Sequence, residues 1–198
     1  MLNPQIFDKV FYYENALEDP QSLIDLIEIS DKDLNDNTSI PKWQEWSASG
    51  DLPYVFGYQK RFTNAAETDS HMDIQVINST LRDAIIKVSN DYAEKNQIDI
   101  GMLMPLSVSK YSTGKSMGPH VDDYDDGENP NISVVLYLND NYIGGELQFP
   151  DQSIKIKPKA GSVIVFPSTK PYFHESLPVE SGIKYMAPGF WRKNNKVV

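Results

Sequence analysis

The sequence contains no cysteine. That excludes disulfides, thiolate metal sites and cysteine nucleophiles together, and it fits a cytosolic protein. Histidine is also scarce, with three in 198 residues, so each can be weighed singly. Positive charge is short: 18 Lys and Arg stand against 28 Asp and Glu, a formal net charge of -10. Nucleic-acid binders usually present a basic face, because phosphate neutralisation supplies much of their affinity, so DNA and RNA are disfavoured as partners. The acidity serves solubility first, and a basic or neutral protein partner is easier to accommodate. No stretch approaches the roughly 20 apolar residues that span a bilayer. The segment Met1–Asp8 lacks a basic region followed by an apolar run. Neither a membrane segment nor a signal peptide is therefore expected, and the expected location is cytoplasmic.

The apolar content, 40%, is enough to exclude a wholly disordered chain. The length suits one domain with a sizeable core. The expectation is a single domain over 1–198, with a helical support region over 1–100 and a β-rich core over 102–192. No pattern assigns an oligomeric state. Asp19-Pro20 reads as an N-cap followed by proline at the first helical position, opening a helix through about Ser30. A longer helix runs from about Met72 to Asn96. Its residues Ile74, Ile77, Leu81, Ala84, Ile85, Val88 and Tyr92 recur at steps of three and four, so one face should lie against a sheet. Residues 31–55 are polar and are expected to be irregular or a mobile loop; they and 63–71 are candidates for a lid. Tyr58 to Phe62 reads as a strand. From 102 onward short β-rich runs alternate with turn residues such as Gly114, Asn139-Asp140-Asn141, Gly144-Gly145, Pro150, Gly161 and Pro167. Many short strands at close spacing imply an antiparallel sandwich or jelly roll, a mainly β fold of the α+β class.

His120 and Asp122 are spaced by two in Pro119-His120-Val121-Asp122, which on a strand puts both side chains on one face. An isolated His-x-Asp usually reflects a hydrogen-bonded pair or a solvated loop. His174, 54 positions later, lies in another β-rich stretch. If the two strands neighbour each other, His174 completes a facial set of two histidines and one carboxylate. Such a set leaves positions open on an octahedral ion and suits non-haem Fe(II) and oxygen chemistry. His71, at the start of the long helix, is assigned to the surface. Asp122 to Gly127 invites a calcium-loop reading, which fails because Tyr124 occupies a ligand position and Ser133 stands where the bidentate glutamate belongs. Residues 123–131 read as an acidic, solvated loop.

Further pieces surround the three ligand-type residues. Tyr111 stands nine residues before His120. Val134-Val135-Leu136-Tyr137-Leu138-Asn139 is followed by Gly144-Gly145-Glu146-Leu147, then Pro158-x-x-Gly161-Ser162-x-x-x-Phe166, His174-Glu175, Lys184 and Trp191. In order and spacing this resembles the 2-oxoglutarate/Fe(II)-dependent oxygenases, and within them the prolyl 4-hydroxylase-like group, over about residues 102–192. The resemblance implies a double-stranded β-helix (jelly roll) with the N-terminal helices packed on its major sheet. It implies a 2-oxoglutarate-dependent dioxygenase that hydroxylates an unactivated C–H, with peptidyl-proline in a protein or peptide as the substrate. His120, Asp122 and His174 would hold Fe(II). The resemblance also implies dioxygen as the oxidant, with ascorbate as a candidate reductant. Lys184, ten positions after His174, would meet the remote carboxylate of 2-oxoglutarate, and Tyr137 and Tyr111 would hydrogen-bond or wall it. On its own Lys184 reads as a solvated strand position, and both tyrosines equally as core; Trp191 reads as core packing. Two alternatives stand beside this reading: an oxygenase of a small molecule or free amino acid, and a non-catalytic jelly-roll module that binds a metal or ligand. The nucleic-acid dealkylase branch is disfavoured, because only Arg192 follows His174 where that branch places two arginines.

Overall fold

The computed structural model describes residues 2–29, 43–47, 55–62, 72–123 and 130–193. In chain order these form β1 (Gln5–Phe7), β2 (Val10–Tyr13), α1 (Pro20–Ile29), β3 (Gln44–Ser47), β4 (Val55–Phe62) and α2 (Met72–Asn96). There follow β5 (Ile100–Leu103), β6 (Leu106–Ser112), β7 (Met117–His120), β8 (Pro130–Tyr137), β9 (Ile143–Gly144) and β10 (Leu147–Phe149). The last are β11 (Ile154–Ile156), β12 (Val163–Pro167), β13 (His174–Ser176), β14 (Val179–Ser181) and β15 (Ile183–Lys193).

All pairings are antiparallel. The major sheet has the order β1-β2-β12-β8-β15-β6-β4-β3, with β5 joined to β15; the minor sheet has the order β11-β10-β13-β7, and β14 pairs with β9. Strand Val163–Pro167 joins the first hairpin to the centre of the major sheet, so strands from both ends of the chain share it. This is the jelly roll expected from the strand pattern.

The two helices are held as their sequences suggest. Asp19 caps α1, accepting from the Ser22 amide at 3.1 Å and the Ser22 hydroxyl at 2.6 Å. Leu23, Ile24 and Ile27 are buried. In α2, Ile77, Leu81, Ala84, Ile85, Val88 and Tyr92 are all buried, packed over β12, β8 and β6. The helix ends at Gln97, which takes the left-handed φ of 53°, while the Ile98 amide donates back to Ala93 O at 3.0 Å. No described helix is long and apolar enough to cross a membrane.

The continuous apolar runs in β8 and β12 follow from coverage of both faces. Val134, Leu136, Val163 and Val165 point to the helices, whereas Val135, Tyr137, Ile164 and Phe166 fill the space between the sheets. Trp191 is core, as read from the sequence, with its indole N–H donating to Ser89 Oγ at 2.9 Å. Between α1 and the major sheet lies a polar bracket. Glu28 accepts from Lys110 at 3.0 Å and from the Tyr185 hydroxyl at 2.9 Å, and the fully buried Lys60 donates to Ile27 O at 2.8 Å.

Three expectations change. Residues 44–47, read as irregular, form the edge strand β3, whose Trp46 pairs with Gly57 of β4. An edge strand has one side open to water, so it lacks the apolar alternation that would reveal it. The hairpin β1–β2 was not foreseen, although Val10-Phe11-Tyr12-Tyr13 is rich in strand formers. Strand β8 begins at Pro130, inside the stretch read as an acidic loop. His71, the candidate lid segments 31–42, 48–54 and 63–71, and residues 124–129 lie outside the described residues.

Leu81 is fully buried where α2 meets the sheet. Leu81→Ala should therefore lower stability by about 2–5 kcal/mol, read from the midpoint of urea unfolding with the slope unchanged.

Candidate metal centre and co-substrate pocket

β13 pairs with β7 so that His174 stands directly opposite His120. The strands that carry the two histidines are neighbours, as the triad reading required. Asp122 departs from it in detail. β7 ends at His120, and Asp122 lies beyond the strand, where its amide donates to Ser168 O at 3.1 Å. Its carboxylate still turns to the histidines. One ligand atom from each of His120, Asp122 and His174 lies within 4.8 Å of the other two.

Backbone carbonyls fix both rings. His120 Nδ1 lies 2.8 Å from Gly118 O, and His174 Nδ1 lies 3.1 Å from Tyr172 O. A carbonyl only accepts, so each Nδ1 carries the proton and each Nε2 presents a lone pair. Those lone pairs face Asp122, at 3.4 Å from His120 to Oδ1 and 3.5 Å from His174 to Oδ2. Phe166 meets the His174 ring edge-on at 4.6 Å and Phe149 tilts against it at 5.7 Å, which restricts its rotation.

Asp122 is secured from below. Ser133 Oγ donates to Asp122 Oδ2 at 2.6 Å and lies 2.8 Å from Ser168 Oγ. Ser133 has one proton and spends it on the carboxylate, so Ser168 donates to Ser133. Burial works to raise the Asp122 pKa, but the two histidines and Ser133 outweigh it and hold the group below its ordinary value. For His120 burial opposes charging, yet the Asp122 carboxylate and the Gly118 carbonyl raise the pKa, so a proton on Nε2 and a bound cation are alternative answers to the carboxylate. His174, more deeply enclosed, is lowered by burial. Two imidazole lone pairs and one carboxylate, all acceptors, thus converge on one point in a largely dry site. That donor set matches a divalent cation with nitrogen and oxygen preferences.

The triad opens into a cavity of about 420 Å3. At its inner end stand Tyr111, Tyr137 and Ser176. Lys184 lies behind them, fully buried on β15, with its ammonium donating to Ser176 Oγ at 2.6 Å and Gly145 O at 2.8 Å. It sits 5.3 Å and 5.6 Å from the ring centres of Tyr111 and Tyr137. Burial pushes the Lys184 pKa down to about 7, with the charge of Lys157 adding to the effect and Glu146 opposing it. The hydroxyls of Tyr111 and Tyr137 are buried and have no hydrogen-bond partner among the described residues. Burial raises the pKa of both, so they are neutral donors. A buried cation and two unanswered hydroxyls suit an anionic ligand that supplies acceptors. Outward, the cavity becomes apolar along Trp46, Met186 and Phe190, on one face of the major sheet.

Every sequence-predicted site residue reaches this cavity or its inner wall. Sequence reasoning missed Ser133, Ser168 and Ser176. The first had a signal: a lone hydroxyl in Ile132-Ser133-Val134, on a strand covered on both sides, must find a partner.

Residues 106–192 match the family model of the 2OG-Fe(II) oxygenase superfamily. A PKHD-type hydroxylase of Maricaulis maris is 35% identical over 95 residues, which are 46% of this chain and 42% of that protein. A second PKHD-type hydroxylase, from Rippkaea orientalis, is 32% identical over 114 residues, 48% of this chain and 50% of that one. The chain spans about half the length of the curated relatives it matches. Among solved structures, a viral collagen prolyl hydroxylase from Paramecium Bursaria Chlorella virus-1, in complex with 2OG, superposes with a TM-score of 0.64. The identity is 22%, over 96% of this chain and 100% of that one. A Trichoplax adhaerens prolyl hydroxylase, in complex with a hypoxia inducible factor peptide fragment, gives a TM-score of 0.72 at 13% identity, over 94% and 84%. These two likenesses concern the fold. Residues 106–192, which carry the triad and Lys184, are thus the part of the chain that is similar to the 2OG-Fe(II) oxygenase superfamily.

Proposed function

We propose that this chain is a 2-oxoglutarate-dependent dioxygenase that hydroxylates a prolyl residue in a peptide. One observation carries the reading: a single cavity has three converging metal-type acceptors at one side and a buried ammonium behind its inner wall. His120 Nε2, His174 Nε2 and the Asp122 carboxylate would hold Fe(II). The chemistry supplied at that site, with Fe(II) and 2-oxoglutarate bound, would be activation of dioxygen, with decarboxylation of the co-substrate coupled to hydroxylation of an unactivated C–H.

The chain's own residues do the rest. Lys184 binds the remote carboxylate of 2-oxoglutarate, and Tyr111 and Tyr137 donate their hydroxyl protons to it. Ser176 keeps the ammonium aimed between them. Ser133 and Ser168 hold Asp122 in the orientation that faces both histidines. The apolar wall of Trp46, Met186 and Phe190 excludes water and lays an extended, uncharged chain along the sheet beside the metal. The peptide assignment is supported by the solved proteins of this fold, one named for collagen and one bound to a hypoxia inducible factor peptide. Incubating the Fe(II)-loaded protein with 2-oxoglutarate, air and proline-containing peptides should yield succinate and a peptide heavier by one oxygen. Succinate formation that depends on a free amino acid, with no mass gain on any peptide, would replace the peptide reading by the small-molecule one. No succinate under any condition would favour a binding module.

Two further outcomes follow from the site. Asp122→Asn should reduce Fe(II) or Mn(II) affinity severely, and Ser133→Ala by roughly 10–100-fold, both measured by metal titration. For Lys184 the sign is set by its free-state pKa of about 7. Above that pH the free protein holds a neutral lysine, while a bound carboxylate favours the charged one. Binding of 2-oxoglutarate should thus take up a proton above pH 7, and affinity should fall as pH rises through 7, by up to about tenfold per unit. Calorimetry in buffers of different ionisation enthalpy reads both.

A further inference from the structure

Behind the pocket's inner wall, one turn is gripped by two lysines. Gly144 and Gly145 both adopt left-handed φ values, 72° and 66°. A Cβ on Gly144 would stand 2.4 Å from Pro178 O, and one on Gly145 would stand 3.0 Å from Tyr142 Cε2 and 3.2 Å from Lys184 Cδ. The turn is therefore packed to its limit against β14 on one side and against Tyr142 and the Lys184 stem on the other. Lys184 donates to Gly145 O at 2.8 Å. Lys157, just past β11, donates to the adjacent Gly144 O at 2.5 Å and to Tyr142 O at 2.9 Å. Its ammonium also lies 3.7 Å from the centre of the Tyr142 ring, a close cation–π contact.

Lys157 as a whole residue is exposed, yet burial of its ammonium against the turn holds its pKa below the ordinary lysine value, in spite of the nearby charges of Glu146, Asp140 and Glu180, which favour the charged form. Its hydrogen bonds nonetheless go to two backbone carbonyls of the turn, and the contacts run from Lys157 through Tyr142 and Gly145 to Lys184.

We propose that Lys157 is a positioning residue for 2-oxoglutarate: it fixes the Gly144–Gly145 turn and the Tyr142 ring, and through them the place of the Lys184 ammonium. This rests on the co-substrate role given above to Lys184. Lys157 acts on Lys184 in two opposed ways. It steadies the groups that seat the ammonium, and its like charge disfavours protonation there. The other titratable groups facing Lys184 are Tyr111, Tyr137, Tyr142 and Glu146. Loss of Lys157 therefore weakens binding at neutral pH while moving the pH at which binding declines upward. A residue that merely stabilised the fold would do neither.

The test is calorimetric titration of 2-oxoglutarate into the Mn(II)-loaded full chain across pH 6–9, for wild type, Lys157→Met and Lys157→Arg, alongside steady-state kinetics of the Fe(II) form. Lys157→Met should bind 2-oxoglutarate roughly tenfold more weakly at pH 7, with unchanged Mn(II) affinity, with its decline displaced to higher pH, and with the loss in KM for 2-oxoglutarate rather than kcat. Lys157→Arg, which keeps charge and donors, should recover most of the affinity and the wild-type pH profile. Affinity within twofold of wild type in Lys157→Met, or an unmoved pH profile, overturns the proposal. If Lys157→Met does not fold, Lys157→Gln takes its place under the same criteria. Failure of wild type itself to bind 2-oxoglutarate would instead sink the co-substrate reading, so the two failures are distinguishable.

Discussion

His174 faces His120 across the pairing of β13 with β7, and that one register sets where everything else in the cavity must lie. With two imidazoles side by side and their Nδ1 protons engaged by Gly118 O and Tyr172 O, both Nε2 lone pairs turn inward. Asp122 has to join them from beyond the strand end. It can do so only because β8 and the end of β12 offer Ser133 and Ser168 beneath it. The resulting cluster of acceptors is unstable unless a cation or protons answer it. The major sheet supplies its answer at one remove, a lysine on β15 whose charge is equally short of partners.

This explains the distribution of polar groups between the sheets. The space is otherwise filled by Val135, Leu147, Phe149, Ile164 and Phe166. Among the polar atoms placed there, the hydroxyls of Tyr111 and Tyr137 belong to residues that line the cavity, and they have no partner among the described residues. Unanswered hydroxyls in a dry interior are costly in the free protein, and a ligand that supplies acceptors relieves the cost. The site is thus shaped by what it lacks as much as by what it contains.

Much of this was legible in the sequence, for physical reasons that also explain the gaps. Helix α2 announced itself because its apolar residues follow one period over 25 residues. The triad was legible because scarce histidines stood at spacings that strands convert into proximity and because the surrounding pieces resemble the oxygenase pattern, whereas Lys184 was legible through that resemblance alone. The edge strand at Gln44–Ser47 and the hairpin Gln5–Tyr13 were not found. The hairpin rests on β12, which is distant in sequence, and the edge strand has β4 as its neighbour on one side, so that pairing, not local pattern, defines them. The supporting hydroxyls Ser168 and Ser176 escaped for a related reason. Nothing about a serine distinguishes it until the groups it serves are in place. Asp122 was assigned the right neighbours on a strand that in fact stops at His120, since two backbones of different shape can deliver one carboxylate to one point.

The strand Ile183–Lys193 serves two masters at single-residue alternation. Tyr185, Ala187 and Trp191 belong to the core under the helices, whereas Met186 and Phe190 line the cavity and Lys184 stands behind its inner wall. A β-strand has only two sides, so adding or deleting one residue here would exchange the two sets wholesale, sending the ammonium into the hydrophobic core and Tyr185 toward the cavity. Substitutions at the even-numbered positions from 186 to 190 alter the cavity lining while leaving the helix-facing side of the strand intact. The same eleven residues thus tie the shape of the cavity to the seating of the helices, so that the length of the strand is fixed by both while its cavity side answers to one alone.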